Sequence, residues 1–163
     1  MNKINRKLEY ALIALKYMQT KTPGELSTAK EISSQFHMPF DATARVMQIL
    51  AQKGILKSEQ GTNGGYQIIK DLNKTSLHEL MKMIVGPVNL AKCFQKEKTS
   101  QERCEVLEHC SIMSPMHALN KKLVEFYEGI KLGDLLEPKH DKLEVFSIEK
   151  NGSAYQQHSH AGE

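Results

Sequence analysis

Apolar residues recur at helical spacing from the start of the chain. Leu8, Ala11, Leu12, Leu15 and Met18 share one face, which predicts a helix over residues 5–18. Thr22-Pro23-Gly24 breaks it. Thr28-Ala29-Lys30-Glu31 is a capping box, in which hydroxyl and carboxylate satisfy each other's orphan amides, so a short helix follows. That helix is expected to bury Ala29, Ile32 and Phe36, with His37-Met38-Pro39 as the turn out of it. Val46, Ile49 and Leu50 form the buried stripe of a third helix from about Phe40 to Lys53, closed by Gly54. Thr43, Arg45, Gln48 and Gln52 lie off that stripe and are expected to face outward. Residues 55–58 and 66–69 are short strand candidates, and the glycines between them suit a hairpin tip.

The second half starts in the same way. Ser76-Leu77-His78-Glu79 repeats the capping-box signal, and Leu77, Leu80, Met81 and Ile84 continue as an amphipathic helix ended by Gly86-Pro87. Between residues 94 and 109 apolar periodicity is lost, which marks a long connection. Ser114-Pro115 then offers an N-cap with proline at N1. Met116, Leu119, Leu123, Phe126 and Ile130 recur at heptad spacing in one seam, expected to pack against another helix, from a second copy or from the same chain. From Glu137 the chain is polar and reads as a mostly disordered tail.

Helix, short helix, turn, helix and β-hairpin is the order of a winged helix-turn-helix, whose second helix of the pair enters the major groove of double-stranded DNA. The expected fold class is mainly α with a small β-hairpin wing (α+β), extended by a long dimerisation helix. Residues 1–75 form the DNA-binding domain, 76–136 the cysteine-containing segment and long helix, and 137–163 the tail. Arg45, Gln48 and Thr43 offer donors and acceptors to base edges. Lys3, Arg6, Lys7, Lys57 and the hairpin are candidates for phosphate contact.

Composition agrees with this division. The 163 residues carry a net charge of +3, which splits into +5 over residues 1–75 and −2 over the remainder. An anionic partner is therefore expected at the first half. No apolar run reaches the roughly 18–20 residues of a membrane helix. Charges interrupt the N-terminal apolar run, so it is not read as a signal peptide and a cytoplasmic location is expected. No G-x-S-x-G, Walker loop, Rossmann fingerprint or H-E-x-x-H occurs, so an enzyme is not expected.

Three cysteines, Cys93, Cys104 and Cys110, flank or lie within the polar connection. Thiolates are soft ligands for iron–sulfur clusters, zinc or copper(I). Three of them leave one coordination position for His109, His117, Met113, water or a residue of another subunit. A metal-free thiol switch using Cys104 and Cys110, a structural zinc site, and three idle thiols are the other readings of the same spacing.

The capped helix pair, Gly54-Ile55-Leu56, the wing Gly61-Thr62-Asn63-Gly64-Gly65-Tyr66, and Lys131-Leu132-Gly133-Asp134-Leu135-Leu136 together resemble the Rrf family of bacterial repressors, with members of the IscR, NsrR and RirA types. The resemblance covers about residues 1–136. It implies a homodimeric winged-helix transcription factor in which an iron–sulfur cluster, 2Fe–2S or 4Fe–4S, changes affinity for operator DNA. By position, Cys93, Cys104 and Cys110 match the cluster cysteines. The helix with Arg45 and Gln48 matches the recognition helix, Asn63, Gly64, Gly65 and Tyr66 match the wing, and Met116 to Ile130 match the dimerisation helix. IscR-type proteins carry a histidine where this chain has Met113, and the first two cysteines are farther apart here. NsrR-type proteins take a carboxylate from the other subunit as fourth ligand, and Glu9 occupies that position.

Overall fold

The computed structural model describes residues 5–87, 89–91, 94, 104, 106 and 109–137. In chain order the elements are α1 (Arg6–Gln19), α2 (Ala29–Gln35), α3 (Phe40–Gln52), β1 (Leu56–Glu59), β2 (Gly65–Ile68), α4 (Leu77–Val85), α5 (Met113–Gly129) and α6 (Leu132–Leu136). Asn5 caps α1 by accepting the Lys7 amide, and Leu8, Ala11, Ala14, Leu15 and Met18 line its buried face. α3 is central. It packs on α1, α2, β1 and α4, and its Val46, Met47 and Leu50 are buried. His37, in the turn before it, takes φ +51°, a left-handed conformation that side chains adopt only at a cost.

Both expected capping boxes form. Glu31 N–H donates to Thr28 Oγ1 at 3.0 Å, and Thr28 N–H to Glu31 Oε2 at 3.3 Å. The pair at Ser76 and Glu79 has 3.1 and 2.8 Å. Glu31 also ties the capped helix to α1: Tyr17 Oη donates to it at 2.5 Å and Lys21 Nζ lies 2.8 Å away. Lys21, then Tyr17, hold the Glu31 carboxyl below its usual range, while the Ser76 amide does the same for Glu79. A depressed carboxyl stabilises the fold above its unfolded-state pKa, and that contribution is lost as pH falls through the folded-state value. Urea midpoints are therefore expected to fall on acidification below about pH 4, with a shallower fall in the Glu31→Gln, Glu79→Gln double variant. An equal slope in that variant would remove these two groups from the acid transition.

β1 and β2 pair antiparallel, with Leu56 opposite Ile68 and Glu59 opposite Gly65. Ser27 extends this hairpin. Its N–H and C=O exchange bonds of 2.9 Å with Tyr66, fastening the wing to the chain just before α2. The end of the described chain also returns to the domain. Leu77 N–H donates to Ile130 O at 2.8 Å, Leu132 N–H to Thr75 O at 2.9 Å, and Gly133 N–H to Leu72 O at 3.0 Å. Leu132 and Leu136 enter the same core as Leu15 and Leu80, and Lys16 Nζ donates to Leu136 O.

Three expectations need correction. Phe36 is 40% exposed, because α2 ends at Gln35 and the ring rests edge-to-face with Tyr17 at the margin of the domain. Thr43 is 1% exposed instead of facing outward. At about 100° per residue it falls between Val46, Leu50 and Met47, and a stripe drawn without Met47 misplaces the buried arc. α5 begins at Met113 behind Ile112, with no side-chain cap bond, one residue before the expected Ser114 cap. The tail from residue 138 onward, Lys3 and Cys93 lie outside the described residues.

Candidate nucleic-acid interface and cysteine segment

The outward face of α3 carries Asp41, Arg45, Gln48 and Gln52, all exposed. Helical phase puts these four within roughly 60° of one another. Arg45 and Gln48 therefore stand together, as the sequence pattern expects. Asp41 joins them, and its first-turn position on a charged face was the available signal for it. Thr43 does not join. Its hydroxyl donates to Pro39 O at 3.0 Å within the helix, so it is spent on local structure.

On the wing, Asn63 and Lys57 are exposed. Lys57 pairs with Glu59 at 3.2 Å in the open, a contact worth little and easily exchanged for a phosphate. Gly64 and Gly65 have a different reason from the one the sequence suggests. A Cβ on Gly64 would meet Glu59 O at 2.5 Å and Gly61 O at 2.9 Å, and one on Gly65 would meet Ser27 O at 3.0 Å. These glycines permit close approach of the hairpin to itself and to Ser27. Gly61, at φ +116°, has open space where a Cβ would stand, while its carbonyl accepts the Gly64 amide at 2.9 Å. Tyr66 is half-buried and packs against the core, so it anchors the wing. A polar cleft lined by Thr28, Ser58, Gln60 and Gly61 separates the hairpin from the start of α2.

Near the other expected site, Cys104 and Cys110 are free, half-buried thiols. Among the described residues no group of three or more His, Cys, Asp or Glu side chains converges to hold a metal ion. His109 is exposed and Met113 is 40% exposed. His117 meets the Phe94 ring edge-on at 4.4 Å. Glu9, half-buried on α1, is 2.5 Å from the Arg6 guanidinium, an i,i+3 pair near the surface. His78 is engaged within the chain, its Nδ1 3.2 Å from Glu128 Oε1.

The seam on α5 is placed distinctively. None of its residues is buried, and Leu119 and Phe126 are 52% and 45% exposed. Met116, Leu123 and Ile130 are half-buried. His117, Asn120 and Glu128, which meet Phe94, Leu90 and His78, lie on another face of α5, roughly 130° from the seam.

The Rrf2 family profile, described as iron-dependent transcriptional regulators, matches residues 4–138. The chain belongs to the Rrf2 family. This Rrf2 protein is 23% identical over 151 residues to the HTH-type transcriptional regulator NsrR of Bacillus subtilis, covering 91% of this chain and 99% of that one. In structure it is similar to a transcriptional regulator from Listeria innocua, with a TM-score of 0.65, 19% identity, and 95% and 96% of the two chains covered. It is also similar to CymR, the global cysteine regulator of B. subtilis, with a TM-score of 0.62, 18% identity, and 83% and 97% covered. The winged-helix fold expected from the sequence is thus that of this Rrf2 protein, and its relatives are transcriptional regulators. Among the described residues no helix is long and apolar enough to cross a membrane.

Proposed function

We propose that this Rrf2 protein is a cytoplasmic, homodimeric regulator whose operator affinity is set by an iron–sulfur cluster held by Cys93, Cys104 and Cys110, with Glu9 of the partner subunit as fourth ligand. The observation that carries the cluster is the pair of uncommitted thiols at Cys104 and Cys110, both half-buried and neither in a disulfide, in the segment leading into α5. Such thiols suit a soft metal centre. When bound, an iron–sulfur cluster supplies a link between these ligands that responds to iron, oxidant or nitric oxide. The third cysteine comes from the sequence resemblance, as does Glu9, whose exposed pairing with Arg6 costs little to give up.

Residues 1–75 act as the reader in this proposal. Arg45 and Gln48 contact base edges in two half-sites about one helical turn apart, and Arg6, Lys7 and Lys57 meet phosphates. Residues 76–136 sense and dimerise. The apolar seam of α5 supports a two-fold partner, because Leu119 on it is 52% exposed and Phe126 45%. Ligand binding at the cysteines shifts operator affinity only by favouring one of two dimer conformations, since equal affinity for both shifts nothing.

Anaerobic purification followed by iron, acid-labile sulfide and visible absorption measurements tests the proposal. A coloured protein is expected, with colour lost in Cys104→Ser and Cys110→Ser. Colourless protein after anaerobic reconstitution overturns the cluster. Bound zinc in that sample points to a structural metal site, and a Cys104–Cys110 disulfide on mild oxidation points to a metal-free thiol switch.

A further inference from the structure

Phe40 is 53% exposed, more than any other phenylalanine or tyrosine among the described residues. Phe36, Phe94 and Phe126 each meet a neighbouring ring, and Phe40 meets none among the described residues. The sequence explains why its own helix leaves it bare. Phe40 is the first residue of α3, behind Pro39, so no earlier turn stands over it. Thr43 and Ala44 follow at the two spacings where side chains of one helix meet. Thr43 is buried with its hydroxyl on Pro39 O, and Ala44 is too short to cover a ring. Cα–Cβ bonds tilt toward the N-terminus of a helix, so the Phe40 ring leans past the start of α3.

Round the axis of α3, Phe40 lies about 80° from Gln48 and about 140° from Arg45, with Ala44 between Phe40 and Gln48. Phe40 and Ala44 thus border the outward face on its Gln48 side. Asp41, exposed next to Phe40 in the chain, is repelled by phosphates. This end of α3 therefore suits the floor of the groove better than the backbone, and in a helix-turn-helix the first residues of the second helix reach base edges. One group on that floor is apolar, the 5-methyl group of thymine.

We propose that Phe40 is a specificity-determining residue that packs on the 5-methyl group of one thymine in each operator half-site, on the Gln48 side of the reading face. The assignment rests on the operator-binding reading and deepens it. A methyl group neither donates nor accepts a hydrogen bond, so Arg45 and Gln48 cannot sense it through theirs. Phe40 supplies the missing apolar contact, and the water released from ring and methyl supplies its free energy. Losing one buried methyl changes affinity by about fourfold.

The test uses the full-length protein, purified anaerobically, and a duplex that it selects from a random-sequence library. Each thymine of a half-site is replaced in turn by deoxyuridine, which removes the 5-methyl group and keeps the base pair. The readout is the ratio of dissociation constants for the uracil and thymine duplexes. Wild type should show a ratio of about four at one thymine per half-site, and about fifteen when both half-sites are changed. Phe40→Ala should bring that ratio to about one, and Phe40→Leu, still apolar, should keep it at about two to four. Arg45→Ala should weaken binding to both duplexes alike and leave the ratio near its wild-type value. Because the ratio is taken within one variant, a general loss of affinity or stability does not move it. A selected duplex in which no thymine gives such a ratio overturns the assignment to Phe40 alone. So does a ratio that persists in Phe40→Ala, which would hand the methyl group to another side chain. Failure to select any duplex overturns the operator-binding reading together with it.

Discussion

Leu50→Ala is expected to lower the unfolding free energy by about 2–5 kcal/mol. Leu50 is fully buried on α3, the helix that packs on α1, α2, β1 and α4. Truncation there leaves a cavity whose walls belong to several elements at once, so they cannot all relax inward. The position also leads into the wing, because Leu50 O accepts the Ile55 amide at 2.9 Å just before β1. A loss of this size is a large share of the 5–15 kcal/mol typical of a domain. The check is a urea titration in which the midpoint falls while the slope stays the same. Gln52→Ala, exposed on the same helix, should remain within about 0.5 kcal/mol of wild type. If Leu50→Ala costs no more than Gln52→Ala, α3 is not the centre of the core.

Arg45→Ala and Gln48→Ala should each cost about 1–3 kcal/mol of operator affinity, concentrated at one base-pair position per half-site. Both side chains are exposed on the outward face of α3, where bidentate bonds to guanine or adenine are geometrically available. The probe is a duplex selected by the protein from a random-sequence library, then tested with single base-pair changes. Lys57→Ala should instead weaken binding to all sequences alike and reduce the salt slope by about 1. Thr43→Ala should leave the base preference unchanged while lowering stability, since its hydroxyl is bonded inside the helix. Uniform weakening by Arg45→Ala would make that residue a phosphate contact, and a changed preference in Thr43→Ala would put the buried arc of α3 elsewhere.

These expectations separate what local pattern can show from what it cannot. The capping boxes at Thr28 and Ser76 were legible because both partners lie within four residues and the bonds form inside one helix turn. The hairpin was legible from its glycines, although the reason for Gly65 was not. Its lack of a side chain serves the approach to Ser27, thirty-eight residues earlier, which no turn pattern encodes. Thr43 was misplaced because a stripe of three apolar residues can be centred in more than one way. Adding Met47, whose burial comes from neighbouring elements, rotates the arc onto the threonine. Phe36 was misplaced for the opposite reason: its apolar character suggested burial, but the helix ended one residue too soon to carry it inward.

By itself the sequence determined the order of elements, their caps, the outward Arg45 and Gln48, and the seam along α5. Those features follow from periodicity and from bonds between near neighbours, which the chain carries wherever it is folded. Only the tertiary structure decided that residues 130–136 return to pair with Leu72 and with residues 75–77. It likewise decided that Ser27 fastens the wing and that the polar stripe of α5 takes Leu90 and Phe94. Such pairings bring together residues about twenty to sixty positions apart. Their partners are chosen by the shape of the packed core, a property of the whole chain that no local window contains.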